Sequence, residues 1–141
     1  EAWGDWNGEE VFLVKPRTYM NNSGVAVKSL LDEKKGSPAD LILIHDDLDL
    51  PLEKLRWGFQ SGHGGHNGVR SVIEKLETKD FHRLRLGIGR PHGRQEPADY
   101  VLEPFTGEDL AAAERMTIEA VKAVHEFLNK LLLKGEADEK I

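Results

Sequence analysis

The sequence predicts an α/β protein, a single domain in which a mixed β-sheet is flanked by helices. Two short apolar runs, at 11–14 and 41–44, are typical of strands, and apolar residues at helical spacing lie between them. A second helical pattern follows a glycine-rich loop at 61–68. The chain has 141 residues, 39% of them hydrophobic, which is enough for one domain with a core and too few for two.

The first strand and helix lie in the N-terminal quarter of the chain. Residues 1–8 follow no periodic pattern, so we expect a loop there. The strand at 11–14 ends at Lys15-Pro16, because proline removes a backbone donor and discourages continuation. After a loop at 17–22, Ser23 can cap a helix that ends near Gly36. The apolar face of that helix consists of Ala26, Val27, Leu30 and Leu31.

The second strand leads into an acidic segment. Residues 41–44 are apolar at every position, which is typical of a strand covered on both faces. The strand–helix–strand order predicts that both strands belong to one sheet, and ligands of such sheets collect beyond the carboxyl ends of the strands. We therefore expect Asn21 and Asp46, each of which follows one of these strands, to lie near the same edge.

The loop from Ser61 to Gly68 contains four glycines, two histidines and Asn67 within eight residues. It opens a helical pattern formed by Val69, Val72, Ile73 and Leu76. In one interpretation Asn67 simply caps this helix. In the other, backbone N–H groups and the positive end of the helix dipole face a phosphate, a carboxylate or a developing oxyanion. The loop has neither a Walker motif nor G-x-G-x-x-G, so a nucleotide cofactor is not indicated.

Three further elements complete the predicted fold. Residues 54–59 and 84–89 alternate in the manner of strands. Apolar residues at helical spacing then run from Leu110 almost to Gly135, which predicts a long helix. The charged tail at 136–141 is expected to fray.

The segment His45-Asp46-Asp47-Leu48-Asp49 has three possible uses. Its imidazole and carboxylates are suitable ligands for Zn, Mn or Mg. Acids that follow a strand are more often solvated turn residues. A carboxylate here can also orient and stabilise a catalytic histidine, for which His63 and His66 are candidates on spacing.

Composition and charge limit the possible partners. The net charge of −6 argues against a nucleic-acid partner, but 11 acidic and 5 basic side chains lie from Glu96 onward, so the first 95 residues are neutral in sum. That leaves room for a basic face. Basic side chains concentrate at 82–94, as either a solvated face or an anion-binding patch: His82, Arg83, Arg85, Arg90, His92 and Arg94.

The absence of cysteine excludes disulfides, thiolate metal sites and cysteine nucleophiles. No stretch approaches the ~18 apolar residues that a membrane-spanning helix needs. We therefore expect a soluble protein of the reducing cytoplasm.

Five stretches, in order over nearly the whole chain, resemble the bacterial-type peptidyl-tRNA hydrolases. They are KPRTYMNNSG at 15–24, HDDLDLP at 45–51, GGHNG at 64–68, FHRLRLGIGRP at 81–91 and DYVL at 99–102. The resemblance implies a mixed sheet between helices and cleavage of the ester that joins a peptide to the 3′-terminal ribose of tRNA. It also implies a cytoplasmic, monomeric, tRNA-binding protein of translation and ribosome rescue that needs no metal or organic cofactor.

The resemblance also implies roles for single residues. Asp46 matches the carboxylate that orients the catalytic histidine of the family. Asn21 resembles the amide that positions substrate and water, and Asn67 the amide that binds near the scissile ester and steadies the oxyanion. The positions that resemble substrate or tRNA contacts are Tyr19, Met20, Gly65, His66 and Arg85, the last as a contact for phosphate.

Two departures from the family pattern shape the expectation. In the family the general-base histidine lies in an N-terminal segment, after a first strand that ends in Asn-Pro-Gly and near an Arg-His-Asn, and no stretch of this chain matches it. We therefore expect an N-terminally incomplete domain, without that strand and the following helix, with little activity. The alternative is a non-catalytic RNA-binding protein on the same scaffold. Relatives often carry Lys or Arg where Gly58 stands, so one phosphate contact is expected to be absent.

Overall fold

The computed structural model describes residues 2–6, 8–16, 19, 22–90 and 96–139, with the side chains of 97–98 and 132–139 left out. Within these residues five strands and four α-helices follow one another. They are β1 (Ala2–Trp6), β2 (Glu9–Leu13), α1 (Ser23–Glu33), β3 (Ile42–Asp47), β4 (Leu55–Phe59), α2 (Asn67–Leu76), β5 (His82–Gly87), α3 (Pro97–Leu102) and α4 (Gly107–Glu139). A 3₁₀ turn at Pro38–Asp40 precedes β3.

The chain divides into two compact units, one formed by its first 15 residues with α4 from Thr117 onward, the other by Pro16–Met116. In the first unit β1 and β2 form an antiparallel hairpin. The Trp6 indole N–H donates to Asn129 Oδ1 at 3.1 Å, and its ring lies 4.4 Å from that of His125. The prediction of a loop at 1–8 was therefore wrong, because cross-strand pairing and contacts with a distant helix stabilise a strand that shows no local pattern.

The second unit contains a mixed three-stranded sheet in the order β3-β5-β4. β3 and β5 are parallel, while β4 and β5 are antiparallel. Helices α1 and α2 pack together, and their apolar faces meet the sheet in a core built on Val27, Val72 and Phe81. Leu43 of β3, and Leu41 just before that strand, pack against the core. The predicted mixed sheet with flanking helices is confirmed.

The strand–helix–strand order from β2 to β3 is present, but the two strands do not share a sheet. β2 pairs with β1, and β3 pairs with β5. Among the strands that the structure describes, β3 is therefore an edge strand, and Ile44 is 49% exposed. The expectations of one shared sheet and of full burial at 41–44 were wrong, because an apolar run reports a preference for burial but not the identity of the neighbouring strand.

Helices α1 and α2 are in close contact at Gly24, the second residue of α1. Its backbone N–H donates to the hydroxyl of Ser71 at 2.9 Å, and a Cβ at this position would lie 2.1 Å from the Ser71 carbonyl oxygen. The helix cap is Asn22 rather than Ser23, which is the first helical residue. Gly24 thus sets the spacing of the helix pair above the sheet.

Helix α4 continues to Glu139, four residues beyond Gly135. Its backbone is therefore helical over most of the segment for which we predict fraying, while residues 140–141 lie outside the described residues. Neither this helix nor any other in the described ranges combines the length and apolar character that crossing a membrane requires.

We predict that Gly24→Ala destabilises the protein by about 3 kcal/mol, at the upper end of the range for overpacking. The better helix propensity of alanine returns only about 1 kcal/mol, so the clash with the Ser71 backbone dominates. Denaturant unfolding measures the change. Gly62→Ala is the control, because nothing lies within 4 Å of a Cβ at that position. Equal stability of the two variants would contradict the assigned spacing role.

Candidate active site

Asp46 lies near the end of β3, where the ladder with β5 continues through the pairs Asp46–Leu86 and Asp47–Gly87. We expected His45, Asp46 and Asp47 in a loop after the strand, and they are instead its last three residues. The backbone pairing with β5 therefore fixes the position of the carboxylate. Its side chain is 35% exposed, so it can accept a further donor.

His66 forms the hydrogen bond that holds the side chain of Asp46. As the N-cap of α2, its Nδ1 accepts a hydrogen bond from the Val69 backbone N–H at 3.2 Å. Nδ1 is thus the unprotonated nitrogen, and Nε2–H donates to Asp46 Oδ1 at 2.8 Å. The cap is therefore His66 and not Asn67, and one imidazole joins the helix terminus to the carboxylate in a fixed tautomer.

This hydrogen bond determines the electrostatic state of Asp46. The bond from His66 holds the pKa of Asp46 below its ordinary value of 3.8, and burial opposes the shift. The carboxylate is therefore ionised at neutral pH. One oxygen of the Asp46 carboxylate is bonded to His66, and the side chain is partly exposed. The carboxylate can therefore orient a second group that is cationic or donates a hydrogen bond.

His45 lies on the other side of the same pair. Its Nδ1–H donates to the main-chain oxygen of Asp46 at 2.8 Å, and its ring is 4.8 Å from the His66 ring at 60°. Burial lowers the pKa of His45 below 6.5. Its Nε2 is buried and has no hydrogen-bond partner in the part of the chain that the structure describes. Sequence reasoning placed this residue only among metal ligands.

A cleft of about 370 Å³ opens beside these side chains. Its polar end consists of His45, Asp46 and His66, and the rest is mostly apolar. The other lining residues are Pro16, Ser23, Val27, Leu43, Ile44, Gly68 and Leu86. An apolar cleft with a few convergent polar groups at one end is typical of a substrate site.

Arg83 holds the glycine loop beneath the site. It is 1% exposed and its guanidinium donates to the carbonyls of Ser61 and Gly62 and, at 3.2 Å, to that of Lys79. The guanidinium also lies 4.3 Å from the centre of the Phe81 ring. The sequence grouped Arg83 with a surface patch, and no local signal distinguishes a buried arginine from its exposed neighbours.

The remaining basic residues of this region are also engaged. Arg85 pairs with Asp47 at 3.4 Å and Arg90 with Asp49 at 2.9 Å, while the His82 ring packs on Phe59. His92 and Arg94 lie outside the described residues. Among the described residues of this region, the three arginines are therefore already paired or buried and leave little positive charge for an anion. The phosphate contact by Arg85 stays a prediction.

The structure brings some of the expected site residues together and separates others. Asp46 and His66 are bonded, whereas Asn67 is exposed and lines a separate depression with Arg70, Ser71 and Glu74. Gly65 has a φ of +83°, which suits glycine, and Tyr19 is 84% exposed. Met20 and Asn21 lie outside the described residues. In the described ranges no group of three or more His, Asp or Glu side chains is arranged to hold a metal.

We predict that Arg83→Met loosens the glycine loop, because the Ser61 and Gly62 carbonyls lose a buried charged donor worth about 1.5–3 kcal/mol per bond. The amide of His66, which donates to the His63 carbonyl at 2.9 Å, should then exchange with solvent at least tenfold faster. Arg70→Met is the matched control, since Arg70 forms an exposed pair with Glu74. Unchanged exchange in Arg83→Met would refute the tether.

We predict that Asp46→Asn destabilises the protein more at pH 6 than at pH 3. The pKa of Asp46 is lowered in the folded state, so its stabilising effect is complete above the unfolded-state value of 3.8 and is lost as pH falls through the lower folded value. Denaturant unfolding of both proteins at the two pH values measures the difference. A difference that does not depend on pH would mean that the charge of Asp46 contributes nothing.

Comparisons with known proteins identify the family of the chain. The peptidyl-tRNA hydrolase family profile matches residues 2–138. Peptidyl-tRNA hydrolases of Aquifex aeolicus (strain VF5) and Bacillus cytotoxicus are 47% and 46% identical to the chain, over 83% and 90% of it. The chain spans 61% and 68% of their lengths.

Two solved structures are similar in fold. A crystal structure of peptidyl-tRNA hydrolase from Acinetobacter baumannii has a TM-score of 0.78 and 31% identity, covering 97% of this chain and 67% of that one. A peptidyl-tRNA hydrolase in complex with N-propanol has a TM-score of 0.73 and 33% identity, covering 79% of this chain and 57% of the other. The chain therefore belongs to the bacterial-type peptidyl-tRNA hydrolase family.

Proposed function

We propose that this protein hydrolyses the ester between a peptide and the 3′-terminal ribose of tRNA, and so recycles tRNA from peptidyl-tRNA in the cytoplasm. One observation carries the proposal beyond family membership: an ionised Asp46, bonded to His66 at 2.8 Å, borders an apolar cleft. A carboxylate so placed can orient a general base, as the acid of a hydrolytic triad does. The cleft is suited to an apolar part of the substrate.

The reaction divides into two steps. A base removes a proton from water, which attacks the ester carbonyl and forms a tetrahedral intermediate with a negatively charged oxygen. The intermediate then expels the ribose oxygen, which takes up a proton, and the peptide leaves as a carboxylic acid. Asp46 stabilises the positive charge that develops on an imidazole base. We assign the amide of Asn21 to water positioning and that of Asn67 to the oxyanion. Asn67 lines a separate depression in this structure, so its side chain must turn toward the cleft to reach the ester.

We further propose that His66 is not the base. In a triad the acid holds one imidazole nitrogen and leaves the other free to accept a proton. Here Nε2–H is given to Asp46 and the Nδ1 lone pair accepts from Val69, so neither nitrogen of His66 is available. His45 Nε2 is unprotonated but buried. The described residues around Asp46 thus supply an orienting carboxylate but no accessible base. This arrangement supports a low intrinsic rate of ester cleavage.

Contacts with tRNA are assigned to the side chains near Arg85. This arginine can contact phosphate if it shares its charge with Asp47. Arg56, the antiparallel partner of Arg85 on β4, is exposed and forms no ion pair with any residue in the described ranges. We add Arg56 as a phosphate contact that motif reasoning missed. Tyr19, Met20 and Gly65 complete the proposed contacts with the acceptor end, and the protein is proposed to act as a monomer.

The second candidate is a non-catalytic RNA-binding protein on the same scaffold. The double engagement of His66 favours it, because a site without a free base can bind without cleaving. The ion pairs of Arg85 and Arg90 weigh against it, because they leave less free positive charge. The salt dependence of tRNA binding distinguishes the two, since a dedicated binding protein keeps high affinity with a steep salt slope.

Cleavage of an N-blocked aminoacyl-tRNA tests the proposed hydrolase. We expect slow cleavage by this chain, and an increase when free imidazole supplies the missing base. Asp46→Ala should abolish the imidazole-dependent increase, roughly a hundredfold effect on a general-base step. Asp49→Ala is the control, because Asp49 is an exposed acid of the same segment that pairs with Arg90. Tight tRNA binding with no cleavage, even with imidazole, would favour the second candidate.

A further inference from the structure

His45 contacts both members of the Asp46–His66 pair. Its Nδ1–H holds the main-chain oxygen of Asp46 at 2.8 Å, while its ring meets the His66 ring edge-on at 4.8 Å. Asp46 is thus fixed at its side chain by His66 and at its backbone by His45. His66 is held at Nε2 by Asp46 and at Nδ1 by Val69, and its ring is in edge-on contact with that of His45.

The protonation state of His45 follows from these contacts. A carbonyl oxygen can only accept a hydrogen bond, so Nδ1 carries the proton and Nε2 does not. Burial disfavours a second proton, so the ring is neutral and does not compete with His66 for the charge of Asp46. Packing alone does not account for an imidazole here, since its buried Nε2 finds no partner among the described residues.

We propose that His45 is a positioning residue that fixes the carboxylate of Asp46 and the ring plane of His66 through its Nδ1–H bond and its edge-on contact. In this role it acts through Asp46 and His66 rather than on the reacting atoms. Only the kinetic consequence of this proposal rests on the hydrolase function proposed above. The structural consequence, the geometry of the Asp46–His66 bond, stands independently of any activity.

Three substitutions separate the features of the imidazole. In His45→Asn the amide nitrogen can replace Nδ1, in His45→Gln it falls near the position of Nε2, and His45→Phe keeps a ring without either nitrogen. The first readout is the NMR signal of the His66 Nε2–H proton, which reports its bond to Asp46. We expect this signal to persist in His45→Asn and to be lost to exchange in His45→Gln and His45→Phe.

The second readout is imidazole-assisted cleavage of N-blocked aminoacyl-tRNA. We expect kcat to fall about tenfold in His45→Phe and His45→Gln with KM unchanged, and to recover in His45→Asn. A purely structural role would instead lower the fraction of folded protein, which thermal unfolding monitors in each variant. If no variant or parent cleaves, the hydrolase proposal fails while the NMR result still decides the role of His45.

Three outcomes would overturn the proposal. One is a His66 signal in His45→Phe identical to that of the parent protein. Another is rescue by His45→Gln rather than His45→Asn, which would assign the effect to Nε2. The third is loss of the signal in all three folded variants, which would show that the Nδ1–H bond does not suffice. If His45→Phe does not fold, the comparison of His45→Asn with His45→Gln decides alone.

Discussion

The parallel pairing of β3 with β5 is the interaction on which the rest of the site depends. Its register, from Ile42–His82 to Asp47–Gly87, places His45 beside Arg85 and Asp46 beside Leu86. The same strand β5 carries Arg83, which reaches the glycine loop ahead of α2. The ladder between β3 and β5 therefore positions the Asp46 carboxylate directly. It also positions, through the guanidinium of Arg83, the glycine loop that leads to His66.

Much of the fold was predictable because its signals are local. The glycine loop and the apolar spacing at 69–76 predict a helix that begins where α2 begins, and 54–59 contains a strand at β4. The strand at Ala2–Trp6 was not predictable, since its pairing with β2 and the contacts of Trp6 with Asn129 and His125 are distant in sequence. The sequence pattern also does not show that β2 pairs with β1 while β3 pairs with β5, so that the two strands belong to different sheets.

The sequence names candidate residues for the site but not the bonds between them. Spacing names His66, together with His63, as a histidine that Asp46 can orient, and in the structure Asp46 is bonded to His66. Nothing in the sequence indicates that His66 also caps α2 through Nδ1. That second bond occupies the lone pair that His66 would need to act as a base. The sequence left the basic side chains at 82–94 as either a solvated face or an anion-binding patch. It does not show that Arg83 is buried or that Arg85 and Arg90 have acidic partners.

The burial of Arg83 has an electrostatic consequence. Its guanidinium is held by backbone carbonyls and a ring face, and no carboxylate pairs with it among the residues that the structure describes. Mobile ions screen exposed charges over a distance of about 8 Å at physiological salt, and they screen a buried charge much less. The glycine loop therefore rests on a positive charge that salt screens much less than it screens the charges of exposed arginines.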